Sequence, residues 1–367
     1  MRDALLAWYR ANKRDLPWRK TRDPYAIWLS EVMLQQTRVE TVIPYYARFL
    51  DSYPTVTSLA EAPLEDVLAK WSGLGYYRRA RALHAGAQSI AREKKGLFPR
   101  AAVDLEEVPG IGPYTAGAVA SIAFDEPAPL VDGNVARVLS RIFELEDDVA
   151  STQGRARVWK IAADLVPEKN AGDHNQALME LGATTCTPKS PRCLLCPVRT
   201  QCLAFAHGRE DELPRKGSRA APKEWKRVAI VASRKGGDVL LARRRGDRLF
   251  GGMWEPPAVD DNPDEPARAA TTLAKLLGLA KDAKYTEKQA ILHVLSHRKM
   301  TVRVLATTAK RAKLADSDEY DRIDWLDAHD LESVAVSSLA KKILATASAG
   351  APREDVRLSS PATRGRR

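Results

Sequence analysis

Two carboxylates, four thiols and one glycine-proline turn are the groups in this chain whose types and spacing could do chemistry. Glu31 lies in AIWLSEVMLQQT, where its neighbours three and four residues away along a helix are Ile27, Trp28, Leu34 and Gln35. An acid on so apolar a face is poorly solvated and tends to keep its proton, which suits a general acid; at the edge of that face it would be an ordinary surface glutamate. Asp132, in VDGNV, precedes a run with apolar Val135, Val138, Leu139 and Ile142, and its position also reads as a plain helix N-cap. One held proton and one ionised carboxylate are what cleavage of a glycosidic bond through an oxocarbenium-like transition state needs.

The cysteines follow the spacing Cys186-x6-Cys193-x2-Cys196-x5-Cys202. Four thiolates suit a tetrahedral zinc or an iron–sulfur cluster, and one CxxC flanked by longer arms fits a cubane better than the paired arms of a zinc finger. Lys189, Arg192 and Arg199 on the same loop carry positive charge outward, where a phosphate backbone could dock. In VPGIGPYTAG, Gly110 and Gly112 admit positive φ and Pro113 presets the first turn of a helix, so two helices meet there in a tight hairpin. Bare glycines and a helix N-terminus let a phosphate approach the backbone amides. The stretch is neither a P-loop, lacking Gly-Lys-Ser/Thr, nor a dinucleotide fingerprint, lacking a preceding strand.

The elements that must position these groups are helical from Asp23 to about Phe205. Asp23-Pro24 reads as an N-cap and first-turn proline, and the helical period recurs over 64–71, 79–90, 115–123, 135–143, 158–165 and 175–181. A charged, proline-bearing stretch over 208–225 has no periodicity and reads as a linker. Beyond it, β-like runs at 228–232, 239–242, 290–295 and 302–307, with helical runs at 267–277 and 331–346, predict an α+β domain. The arginine-rich stretch from 347 reads as a disordered tail.

The 367 residues, 44% hydrophobic, are enough for two or three domains. Fifty-eight Lys and Arg against forty-seven Asp and Glu leave a net charge of +11, which favours a polyanionic partner such as nucleic acid. No run of eighteen apolar residues is present, and the start, MRDALLAWYR, is unlike a signal peptide, so a soluble cytosolic protein without membrane contact is expected. The clustered cysteines leave none for a disulfide framework.

Taken in order, SEVMLQQT, GLGYYRRAR, VPGIGPYTAGAVAS, VDGNV, HNQALMELG and the cysteine spacing resemble the MutY-type adenine DNA glycosylases of the helix-hairpin-helix, endonuclease III superfamily. The resemblance is strong over 1–208 and weaker beyond. It implies a multidomain fold: an all-α helix-hairpin-helix glycosylase core over 1–208, a linker over 209–224, an α+β MutT-like (Nudix-fold) lesion-recognition domain over 225–346, and the tail over 347–367. Within the core it implies a six-helix subdomain at about 23–130 and an iron–sulfur subdomain of 1–22 with 131–208.

The implied activity is a monofunctional glycosylase, monomeric and nucleoid-associated in the cytoplasm. It would act on double-stranded DNA, removing adenine paired with 8-oxoguanine or guanine after flipping the nucleotide out. Glu31 would protonate adenine N7. Asp132 would stabilise the oxocarbenium ion, with transient covalent attachment one route, before water attacks C1′. Asn134 and Tyr114 would support them, and Arg19 and Gln176 would line the adenine pocket. Gln36, Leu74 and Tyr76 would enter the base stack and meet the lesion side. Gly110 and Gly112 would hold phosphate, and Cys186, Cys193, Cys196 and Cys202 would hold one 4Fe-4S cluster.

The family's lesion-reading Phe-Ser-His is Leu295-Ser296-His297 in this chain, which keeps the Ser296 and His297 hydrogen-bonding groups and loses the aromatic. The Nudix helix, 268–278, contains no Asp or Glu, so no pyrophosphatase activity is expected. Two rival functions remain. A bifunctional endonuclease III-like lyase would need a lysine where Tyr114 stands, and a non-catalytic iron–sulfur DNA-binding protein would have no use for Glu31.

Overall fold

A computed structural model describes residues 1–349, apart from 216, 218–220, 247, 263–264, 281–282 and 296, together with 353–356. Its contacts divide it into two units, Met1–Ala62 with Arg78–Arg219, and Pro63–Tyr77 with Ala220–Arg367.

The first unit is helical. It begins with α1 (Arg2–Asn12), α2 (Pro24–Leu34), α3 (Val39–Ser52) and α4 (Val56–Glu61). After α5 (Leu64–Trp71), which belongs to the second unit, come α6 (Arg78–Glu93), α7 (Ala102–Glu106), α8 (Pro113–Phe124) and α9 (Gly133–Ile142). α10 (Thr152–Leu165), α11 (Ala171–Thr184) and α12 (Leu203–Ala206) complete it. The start signals act as local chemistry requires. The Asp23 carboxylate accepts from the Tyr25 amide at 3.1 Å with Pro24 in the first turn, and Asp132 caps α9 by accepting from the Val135 amide at 2.7 Å.

α2 and α8 are buried on nearly every side and pack on each other. Both are therefore apolar almost all round, with no polar face to show solvent. α8 opens directly from the glycine hairpin. There Gly110 has φ +82°, and a Cβ would stand 2.6 Å from that of Ala82, so only glycine fits. Gly112 corrects the expectation for the pair: its φ is −98°, ordinary extended backbone, and it serves as the N-cap of α8 with open space around it.

The second unit holds β1 (Lys223–Ser233), β2 (Val239–Arg244), β3 (Trp254–Glu255), β4 (Ala258–Asp260) and α13 (Pro266–Leu276). These are followed by β5 (Tyr285–Val294), β6 (Arg298–Thr308), β7 (Tyr320–Leu326), α14 (Ala328–Ser333), α15 (Ser338–Ser348) and β8 (Arg353–Val356). The sheet order is β3-β2-β1-β6-β5-β8, with β4 on β1 and β7 on β2; β1 and β6 run parallel. The central run of β1 is buried on both faces, with α13 packed over Val228 and Ile230 and α15 over Ala229 and Val231. That burial explains why its sequence is continuously apolar instead of alternating.

The sequence reading is corrected at several further points. The helical run expected over 331–346 is two helices, α14 and α15, separated by 334–337, β7 stands where no strand was expected, and α1 precedes the helical region expected from Asp23. The charged stretch taken as linker starts by folding onto the helical unit: Leu213 is buried, Arg209 pairs with Glu144 at 3.0 Å and Arg215 with Glu146 at 2.8 Å. α5 groups with the C-terminal unit, where Ser72 Oγ donates to the Val336 carbonyl at 2.9 Å and Glu65 pairs with Arg243. The tail expected to be disordered includes β8, paired with β5; the rest of it, beyond the end of α15 and Ala349, lies outside the described residues.

Candidate active site

Several segments of the helical unit converge on one cavity of about 980 Å³. Glu31, Asp132, Tyr114, Asn134, Arg19, Gln36 and Gln176 all line it. Glu31, on the last turns of α2, is 5% exposed, and Tyr114, in the first turn of α8, donates its hydroxyl to Glu31 Oε2.

Burial is the dominant influence on Glu31 and pushes its carboxyl up to about 7. The Tyr114 hydrogen bond opposes that rise, the nearby charge of Asp132 adds to it, and Arg19 counters it. Burial, then Glu31 and Asp132, push the Tyr114 phenol far above its ordinary range, so it stays a neutral donor. Asp132 is also pushed up by burial, but the amides of Val135 and Asn134 hold it down, as do the Asn134 side chain at 3.1 Å and the charge of Arg137. Of the two acids, Asp132 is thus the one supplied with donors for its charged form. Asp132 both caps α9 and lines the cavity, and the bond that starts α9 also solvates its carboxylate.

Several site residues could not be found from local sequence. Glu180, on α11, accepts from Arg14 at 2.9 Å and from Arg19 at 2.7 Å. Burial would raise its carboxyl, yet these hydrogen bonds outweigh it and hold it at about 2. The pair fixes Arg19 against the cavity wall. The available signal was a glutamate inside the apolar stretch ALMELG, which needs a cationic partner if buried.

Arg137 was likewise missed. It donates to the Asn134 side-chain oxygen at 2.9 Å, to the Gly182 carbonyl at 2.8 Å and to the Cys186 carbonyl at 2.9 Å. Asn134 in turn donates to Asp132, so hydrogen bonds run from the cysteine loop to the cavity. A Cβ on Gly182 would come within 2.7 Å of that of Asn134, and the bare glycine lets α11 approach α9 there.

Cys186, Cys193, Cys196 and Cys202 line a second cavity beside α9, and none is in a disulfide. Burial pushes the Cys196 thiol up to about 11 and raises those of Cys193 and Cys202, so these three need a metal's positive charge to stand as thiolates. The buried Arg141 guanidinium donates to Cys186 Sγ at 3.3 Å and to the Thr187 carbonyl at 2.7 Å, a donor suited to a thiolate held by a metal. The donor set and its surroundings fit an iron–sulfur cluster.

The remaining expected residues lie elsewhere. Leu74 is buried and Tyr76 half-exposed with φ +50°, both in the Pro63–Tyr77 segment, and neither lines the cavity. His297 is exposed at the β5–β6 turn, and Ser296 lies outside the described residues.

Residues 29–163 match the family model described as HhH-GPD superfamily base excision DNA repair protein, and 227–346 match the NUDIX domain. A solved thermostable thymine-DNA glycosylase superposes with a TM-score of 0.51 at 30% identity, covering 56% of this chain and 94% of its own. The molecule is therefore a helix-hairpin-helix DNA glycosylase carrying a Nudix-type domain. Adenine DNA glycosylase from Mus musculus is 38% identical over 93% of this chain and 76% of its own length. The Homo sapiens protein of that name is 36% identical over 93% and 73%. The chain belongs to the adenine DNA glycosylase family, MutY type, and DNA is its partner.

Proposed function

We propose that this enzyme hydrolyses the N-glycosidic bond of adenine paired with 8-oxoguanine, or with guanine, and leaves the DNA strand intact. The observation that carries the reading is the buried carboxyl of Glu31, held near pH 7 and bonded by Tyr114, in one cavity with the donor-supplied Asp132. A flipped adenosine in that cavity meets a proton at Glu31, which is transferred to N7 so that the base leaves neutral. Asp132 then faces the oxocarbenium ion and lowers its energy by charge until water adds at C1′ and gives up a proton, leaving the free sugar in an unbroken strand. Arg19, fixed by Glu180, and Gln176 hold the base; Gln36, Leu74 and Tyr76 each enter the base stack and meet the lesion side.

The enzyme stops at base loss because Tyr114 occupies the place a lyase gives to lysine, and a phenol cannot form an imine. The C-terminal domain reads the lesion through the side chains of Ser296 and His297. The four cysteines hold one 4Fe-4S cluster, which shapes the loop that docks on DNA and takes no part in the reaction. The protein acts as a monomer in the cytoplasm at the nucleoid.

Glu31→Gln tests the reading, since it keeps the shape of the side chain and removes the proton donor. Single-turnover adenine release should fall by roughly a thousandfold or more, while affinity for the duplex stays within about threefold. A variant that releases adenine at close to the wild-type rate would sink the assignment.

A further inference from the structure

One residue in GLGYYRRAR grips the helix that carries the acid. Arg79, at the start of α6, sends Nη1 to three carbonyls at the C-terminal end of α2: Val32 at 2.9 Å, Met33 at 2.8 Å and Gln35 at 2.6 Å. Its Nη2 donates to Thr37 Oγ1 at 3.0 Å. The last carbonyls of a helix have no intrahelical partner and sit at its negative pole, so a guanidinium there satisfies and neutralises them together.

The residue between the two gripped points is Gln36, which has φ +58° and lines the cavity. A left-handed glutamine is strained, and such a conformation persists only where its surroundings over-determine it. Arg79 supplies that determination by holding the carbonyl before Gln36 and the side chain after it. On the far side, the Gln35 side chain reaches Thr115, next to Tyr114, at 3.5 Å.

We propose that Arg79 is a positioning residue for base extrusion: by bracketing Gln36 it presets the backbone that aims this side chain into the base stack. The proposal rests on the reading of Gln36 as the residue that enters the stack. Lysine would not replace Arg79 fully, because a single ammonium cannot reach three carbonyls and a hydroxyl in a fixed fork.

A double-mutant cycle tests it, using the full chain and single-turnover adenine release from an 8-oxoguanine:adenine duplex at saturating enzyme. Arg79→Met and Gln36→Ala should each slow release by roughly tenfold, and the double variant should be no slower than the worse single. A purely structural arginine would act independently of Gln36, so multiplied effects of roughly a hundredfold in the double variant overturn the proposal. So does a Gln36→Ala variant with the wild-type rate. Should Arg79→Met fail to fold, Arg79→Lys keeps the charge at the helix end, and the same cycle is run with it. Wild-type protein that releases no adenine refutes the parent reading and this one with it; an active wild type with multiplied effects refutes this one alone.

Discussion

At the scale of the residue, the proposed chemistry depends on a carboxyl that is protonated when the pH is near neutral. Burial first, and the charge of Asp132 after it, raise Glu31 to about 7, so the acid form prevails below that pH and is lost above it. Adenine release should be level at lower pH and fall tenfold per unit above about 7. The Tyr114 hydrogen bond favours the ionised form, so Tyr114→Phe should move this alkaline limb to higher pH; a limb that moves to lower pH, or stays put, contradicts the assignment of the titration to Glu31. The apolar neighbours of Glu31 were legible in the sequence because they lie within one helical turn. Glu180, Arg137 and Arg79 were not. Glu180 acts on Arg19 across 161 positions, Arg79 on the Val32 carbonyl across 47 and Arg137 on the Gly182 carbonyl across 45, each through a side chain whose direction no local pattern reveals.

At the scale of the element, two turns separate structural from functional demand. Asp132 both caps α9 and faces the cavity. Asp132→Asn keeps a good cap and should lose adenine release with little change in thermal midpoint, whereas Asp132→Ala should also cost about 1 kcal/mol of stability. If the Asn variant stayed active, the cap would be the whole role of Asp132.

The glycine hairpin divides in the same way. Gly110→Ala meets both a left-handed backbone and the Ala82 side chain and should destabilise by about 1–3 kcal/mol. Gly112→Ala meets nothing and should stay within about 0.5 kcal/mol of wild type in a denaturant titration, yet weaken duplex binding where a phosphate must approach. Equal destabilisation by the two would be inconsistent with this geometry. Caps, prolines and helical periods were readable because they are local signals. β3 and β4 escaped because they are too short to show a period, and α5 was assigned to the wrong neighbours because its partners at Arg243 and Val336 lie far along the chain.

At the scale of the whole molecule, His174 makes the fold sensitive to acid. It is fully buried on α11, neither ring nitrogen has a hydrogen-bond partner among the described residues, and burial, reinforced by the charge of Arg2, lowers it to about 4. The unfolded chain takes up this proton near pH 6.5 and the folded one resists it. Stability is therefore intact above about pH 6.5 and is lost as the pH falls toward 4, by ~3 kcal/mol in all. His174→Phe should flatten that dependence in urea titrations between pH 7 and 4.5; an unchanged slope would place the acid sensitivity elsewhere.

The central claim is the activity of the intact protein, and one measurement addresses it directly: incubation with an end-labelled 8-oxoguanine:adenine duplex, followed by resolution of the strands with and without alkali. Free adenine should appear, with breaks at the adenine site only after alkali. Absence of adenine release, or strand breaks without alkali accompanied by a borohydride-trapped covalent complex in high yield, would contradict that claim.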